Sequence, residues 1–109
     1  MSTQRLKNLT IKEDIIQAFC FKWKIKELAF FGSVLREDFN SKSDVDILVS
    51  FLPESHWSLF EYVDMKEELE SIFGRNVDFI SRTAIEMSRN NLRKHSILDH
   101  TETIYVKAA

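Results

Sequence analysis

The chain has 109 residues, enough for one small domain with a single core, and its 44% apolar and 29% charged residues suit a globular protein better than a disordered one. Its 15 Lys plus Arg stand against 17 Asp plus Glu, a net charge of -2. Without a basic surplus to neutralise a long phosphate backbone, direct binding of long nucleic acid is not expected; a small anionic substrate carried with metal ions stays open.

In chain order, Thr10 followed by Glu13 reads as a capping box, and Ile11, Ile15, Ala18, Phe19 and Lys22 share one face of a helix from about Ile11 to Trp23. Ile25 to Phe31 holds the run Leu28, Ala29, Phe30 and Phe31, which stops at Gly32 as a buried strand entering a tight turn would. A polar stretch, Ser33 to Ser43, leads to a strand with Val45, Ile47, Val49 and Phe51 on one side at period two. Pro53 ends that strand. Ser55 is placed to cap a helix whose stripe Tyr62, Met65, Leu69, Ile72 and Phe73 runs to Gly74.

Asn76 to Ser81 reads as a third strand, with Val77 and Phe79 on one face and Asp78 on the other. Thr83 with Glu86 forms a second capping box, opening a helix through about Lys94. Ser96 to Val106 can be read two ways: Ile97, Leu98, Ile104 and Tyr105 suit a helix, while the Thr-rich end could pair as a strand; the helix is the favoured reading. The pattern is α/β, a short mixed sheet flanked by helices in a single domain over residues 1–109.

Cys20 is the only cysteine, so an intrachain disulfide and a cysteine-rich zinc site are excluded, and its apolar helical setting suits a buried structural thiol. His56, His95 and His100 share no metal-ligand spacing and read as surface or capping residues. With no run of membrane-spanning length and no signal-peptide pattern, no membrane partner and a cytoplasmic location are expected.

The chemistry gathers around acids. Asp44 and Asp46 are two apart at a strand entry, so their side chains project to one face with Cα atoms roughly 6.5 Å apart. Their mutual repulsion is relieved by divalent cations, and oxygen-only ligation is the habit of Mg²⁺. Asp78 projects from the neighbouring strand, where a third carboxylate could join them to hold two ions about 3.5 to 4 Å apart for in-line phosphoryl displacement. Gly32-Ser33, at a strand end before a helical turn, offers backbone N–H groups and a hydroxyl to phosphate oxygens, and Arg36 could add a charge-assisted contact.

Phe31-Gly32-Ser33, a gap, and then Ser43-Asp44-Val45-Asp46-Ile47-Leu48-Val49 resemble the Gly-Ser and Ser-Asp-x-Asp signature of minimal nucleotidyltransferases, members of the polymerase-β-like nucleotidyltransferase superfamily. The resemblance implies a small nucleotidyltransferase fold, with Asp44, Asp46 and Asp78 as catalytic metal ligands for two Mg²⁺ ions. It makes Gly32, Ser33, Arg36 and Ser43 nucleotide-binding residues, with ATP as substrate. Glu37, where such chains often carry Gly after the Arg, departs from the pattern and adds a negative charge.

The same resemblance implies transfer of AMP from ATP to a partner protein's hydroxyl. The chain would be the antitoxin of a HEPN-type ribonuclease toxin, modifying a toxin tyrosine. A second reading is a non-catalytic antitoxin that neutralises its toxin by binding. A third, a small-molecule nucleotidyltransferase, is disfavoured because such chains carry an additional acceptor-binding domain.

Overall fold

The computed structural model describes residues 3–6, 9–35 and 42–107. An antiparallel pair, β1 (Thr3–Leu6) and β2 (Leu9–Lys12), precedes helix α1 (Glu13–Lys22). The expected Thr10–Glu13 capping box is not formed, because Thr10 is drawn into pairing with Arg5 and Lys12 becomes the N-cap without a side-chain hydrogen bond. The buried face of α1 is also rotated from the expected one. Ile16, Phe19 and Cys20 point inward, while Ile15 is 40% exposed.

The two most apolar runs become the central strands β3 (Ile25–Phe31) and β4 (Val45–Phe51). Helix α2 (Leu59–Phe73) follows, then β5 (Val77–Ser81), α3 (Arg82–Glu86), α4 (Asn91–Leu98) and β6 (Thr101–Val106). The sheet order is β5-β4-β3-β6, with β3 antiparallel to both neighbours and β4 parallel to β5 through the α2 crossover. It is a mixed four-stranded sheet flanked by helices, as the sequence pattern implies.

Three helix boundaries differ from expectation. Ser58, not Ser55, begins α2 in a capping box with Glu61, while the Ser55 hydroxyl donates to the Leu52 carbonyl. The single helix expected from Thr83 to Lys94 is two helices. Thr83 lies inside α3 and forms no cap, and α4 has its own N-cap, Asn90, whose side chain accepts the Arg93 N–H at 3.1 Å. The last segment is a strand from Thr101, not a helix. β-branched and aromatic residues enrich this segment, and Thr101, Glu102, Thr103, Tyr105 and Val106 pair along β3, with the register shifting at Ile104, so that strand's second edge is satisfied.

Alternation along the strands splits the apolar residues between two faces. On one face Leu28, Phe30, Ile47, Val49 and Val77 pack with Ile16, Phe19 and Cys20 of α1 and Met65 and Leu69 of α2. On the other, Phe31 and Leu48 meet Ile85 of α3 and Ile97 of α4. Each fully buried aliphatic side chain contributes roughly 1.5–3 kcal/mol relative to exposure. At the rim, Trp23 and Trp57 meet edge-on at 5.3 Å, and the Trp23 indole donates to Glu68 at 2.8 Å. Among the described residues no helix is long and apolar enough to cross a membrane.

Candidate active site

Strand β3 delivers the chain to Gly32, which turns with φ 65° into a 3-10 turn, Gly32–Leu35. A Cβ at this position would stand 2.6 Å from Oδ2 of Asp46 and 3.4 Å from its Cγ. Glycine is therefore favoured twice, once by the left-handed backbone and once by the carboxylate close beside it. Ser33 occupies the next position of the same turn.

Asp46 pairs in register with Phe31 on one side and Asp78 on the other. Because Asp46 and Asp78 share the register of a parallel ladder, their side chains leave the same face of the sheet, the face covered further along by α3 and α4. Asp46 is half-buried; Asp44 and Asp78 are exposed. The alignment of the two strand entries is held by three hydrogen bonds. The Val45 N–H donates to the Asn76 carbonyl at 2.9 Å. The Arg75 guanidinium donates to the carbonyl of half-buried Ser43 at 3.2 Å, and the Val77 N–H donates to Oε2 of Glu70 at 3.1 Å.

The fold thus brings Gly32, Ser33, Ser43, Asp44, Asp46 and Asp78 to one end of the sheet. Arg36 and Glu37 lie outside the described residues. Among the described residues no group of three or more His, Cys, Asp and Glu side chains stands close enough to hold a metal ion together. Asp46 and Asp78 share a face and Asp44 lies two residues before Asp46 at the same end of the sheet, without a closed three-ligand cage among the described residues.

Beside the turn lies a cavity of about 240 Å³ lined by Gly32, Leu35, Ser96 and His100. Ser96 and His100 had no sequence signal for this position, because a helix read through the last segment hides the reversal between α4 and β6 that brings His100 back to the end of β3. Arg75 and Glu70 were equally hidden.

Chemically, the carboxylates present only oxygen donors, the set preferred by hard divalent cations. The turn at Gly32 brings backbone close to the Asp46 carboxylate. Carboxylate oxygens beside a glycine turn are a donor set that suits a divalent cation and its ligands.

Comparison with known proteins identifies a family match. The model of the family described as nucleotidyltransferase domain matches residues 12–104. The Methanocaldococcus jannaschii protein named "Putative protein adenylyltransferase MJ1379" is 41% identical over 64 residues, which are 59% of this chain and 64% of that protein. "Protein adenylyltransferase MntA" of Thermococcus cleftensis is 34% identical over 65 residues, 60% of this chain and 64% of that protein. The chain therefore spans just under two thirds of the length of either relative. Among solved structures, a toxin–antitoxin crystal structure with AMP-PNP has the same fold, with a TM-score of 0.64 at 17% identity, covering 88% of this chain and 74% of that one.

Proposed function

The chain belongs to the nucleotidyltransferase domain family, and from that premise we propose that it moves AMP from ATP to a hydroxyl of a partner protein. In this reading the partner is a HEPN-type toxin, the acceptor is a toxin tyrosine and the chain is the antitoxin. The observation that carries the reading is the close approach of Gly32 to Asp46, with Asp78 in register beside it. Support for the type of acceptor comes from relatives named as protein adenylyltransferases, and support for a toxin partner from the fold shared with a toxin–antitoxin complex.

The residues fit two Mg²⁺ ions in their donor chemistry, and Asp44, Asp46 and Asp78 would hold them. When bound, the ions would supply charge neutralisation for the triphosphate and a lowered pKa for the acceptor hydroxyl. Gly32 and Ser33 bind phosphate through the backbone of the turn, with Ser43 and Arg36 as further nucleotide contacts. Arg75 and Glu70 hold the strand entries in alignment, so that two carboxylates face one substrate. The acceptor oxygen forms a bond to the α-phosphorus, the bond from that phosphorus to the bridging oxygen breaks, pyrophosphate leaves and the acceptor proton passes to solvent. ATP as donor and a toxin as acceptor place the reaction in the cytoplasm.

A second reading, neutralisation by contact alone, draws on Glu37, which adds a negative charge next to Arg36. One experiment separates the two: the intact mass of the co-purified partner after incubation with Mg²⁺ and ATP, for the native protein and for Asp44→Asn/Asp46→Asn. A gain of one AMP with the native protein alone supports transfer. A gain that survives the double substitution removes these carboxylates from the mechanism, and no gain with full neutralisation by both proteins selects the contact reading.

A further inference from the structure

We propose that Ser96 and His100 complete a phosphate subsite by donating hydrogen bonds to the terminal phosphate oxygens of the bound nucleotide. This rests on the transferase reading and extends it to the cavity of about 240 Å³ that shares Gly32 with the candidate active site. Thr101 pairs with Phe31, so the residue before it, His100, is anchored beside the strand end from which Gly32 departs. Ser96 lies four residues earlier, one turn back along α4, and lines the same space.

The chemistry of the lining selects the ligand. Among the described residues, the polar side chains that line this cavity are a hydroxyl and an imidazole, both able to donate. Among the described residues neither side chain is engaged in a hydrogen bond or ion pair, in contrast to His95, whose Nδ1 stands 3.4 Å from Oδ2 of Asp99. Phosphate oxygens need donors, whereas ribose hydroxyls and the adenine amino group also seek acceptors. The volume falls below the roughly 300–1,000 Å³ of sites that enclose a whole drug-sized ligand, which suits one end of a nucleotide. The acids lie on the other side of Gly32, so metal ligation and donor contacts would reach the triphosphate from two directions.

The test is calorimetric binding of Mg²⁺–AMP-PNP, inorganic pyrophosphate with Mg²⁺, and adenosine to the native protein, Ser96→Ala/His100→Ala, His100→Asn and the control His95→Ala. Loss of two hydrogen bonds to a charged group should weaken AMP-PNP and pyrophosphate at least about tenfold in the double variant. Adenosine binding should be unchanged, His95→Ala should bind as the native protein does, and His100→Asn, which keeps an N–H donor, should retain most of the affinity. Thermal melts of the same variants report that each is folded. Unchanged pyrophosphate and AMP-PNP affinity in a folded double variant, or a loss confined to adenosine, overturns the subsite while leaving the transferase reading intact. A native protein that binds no AMP-PNP overturns both.

Discussion

Asp46 on β4 and Asp78 on β5 stand opposite each other in a parallel register, so neighbouring strands place carboxylates side by side on one face. Like charges in that position repel, and the arrangement is useful where a cation is to be held. Gly32 closes the third side by bringing backbone against Asp46.

The tightest of these contacts gives the first prediction. Gly32→Ala would set a methyl group 2.6 Å from Oδ2 of Asp46 in a backbone conformation with φ 65°. The strain should cost about 1–3 kcal/mol of stability. Displacement of the carboxylate should reduce AMP transfer about a hundredfold or more. Denaturant melts and single-turnover transfer measure the two effects separately.

Gly74 provides the matching control. It ends α2 with φ 70°, but a Cβ there meets nothing within 4 Å. Gly74→Ala should lose about 1 kcal/mol through the backbone alone. Transfer per folded molecule should stay at the native rate; a loss comparable to that of Gly32→Ala would show that the contact with Asp46 is not what matters.

Cys20 should be chemically silent. It sits on α1, fully buried against the sheet, and burial pushes its thiol up to about 12. Almost no thiolate exists at neutral pH, so a maleimide or disulfide reagent should label the folded chain only at the rate of unfolding. Rapid labelling without denaturant would contradict the placement of α1.

Helix α2 carries a pH signature at its start. Hydrogen bonds from the Ser58 hydroxyl and then the Ser58 amide hold the Glu61 carboxyl below its usual value. A folded-state value below the unfolded one gives a stabilising contribution that is complete above the ordinary carboxylate range and lost as pH falls through the lowered value. The difference in melting temperature between the native protein and Glu61→Ala should be largest near neutral pH and shrink below about pH 4. A difference that grows on acidification would have the wrong sign.

The parts most legible in the sequence were those written in local pattern. The run into Gly32, the period-two strand from Val45 and the stripe from Tyr62 to Gly74 located β3, β4 and α2. Non-local pairing was not legible. Thr10 looked like a helix cap because nothing nearby shows that it pairs with Arg5, and Thr101–Val106 looked like a possible helix because its partner is β3, some seventy residues earlier. The same long-range pairing explains why Asp44, Asp46 and Asp78 could be singled out while Ser96 and His100 could not. The acids lie at recognisable strand entries, and the other two reach the cavity only once β6 folds back.

The most direct measurement of the central claim follows the two ends of ATP separately. The partner is incubated with the native protein, Mg²⁺ and ATP labelled either on the α-phosphate or on the γ-phosphate. Transfer of AMP predicts label on the partner from the α-phosphate alone, with γ-label released as pyrophosphate and both signals abolished by Asp46→Asn. Label from the γ-phosphate on the partner, or α-label that survives Asp46→Asn, would contradict the account.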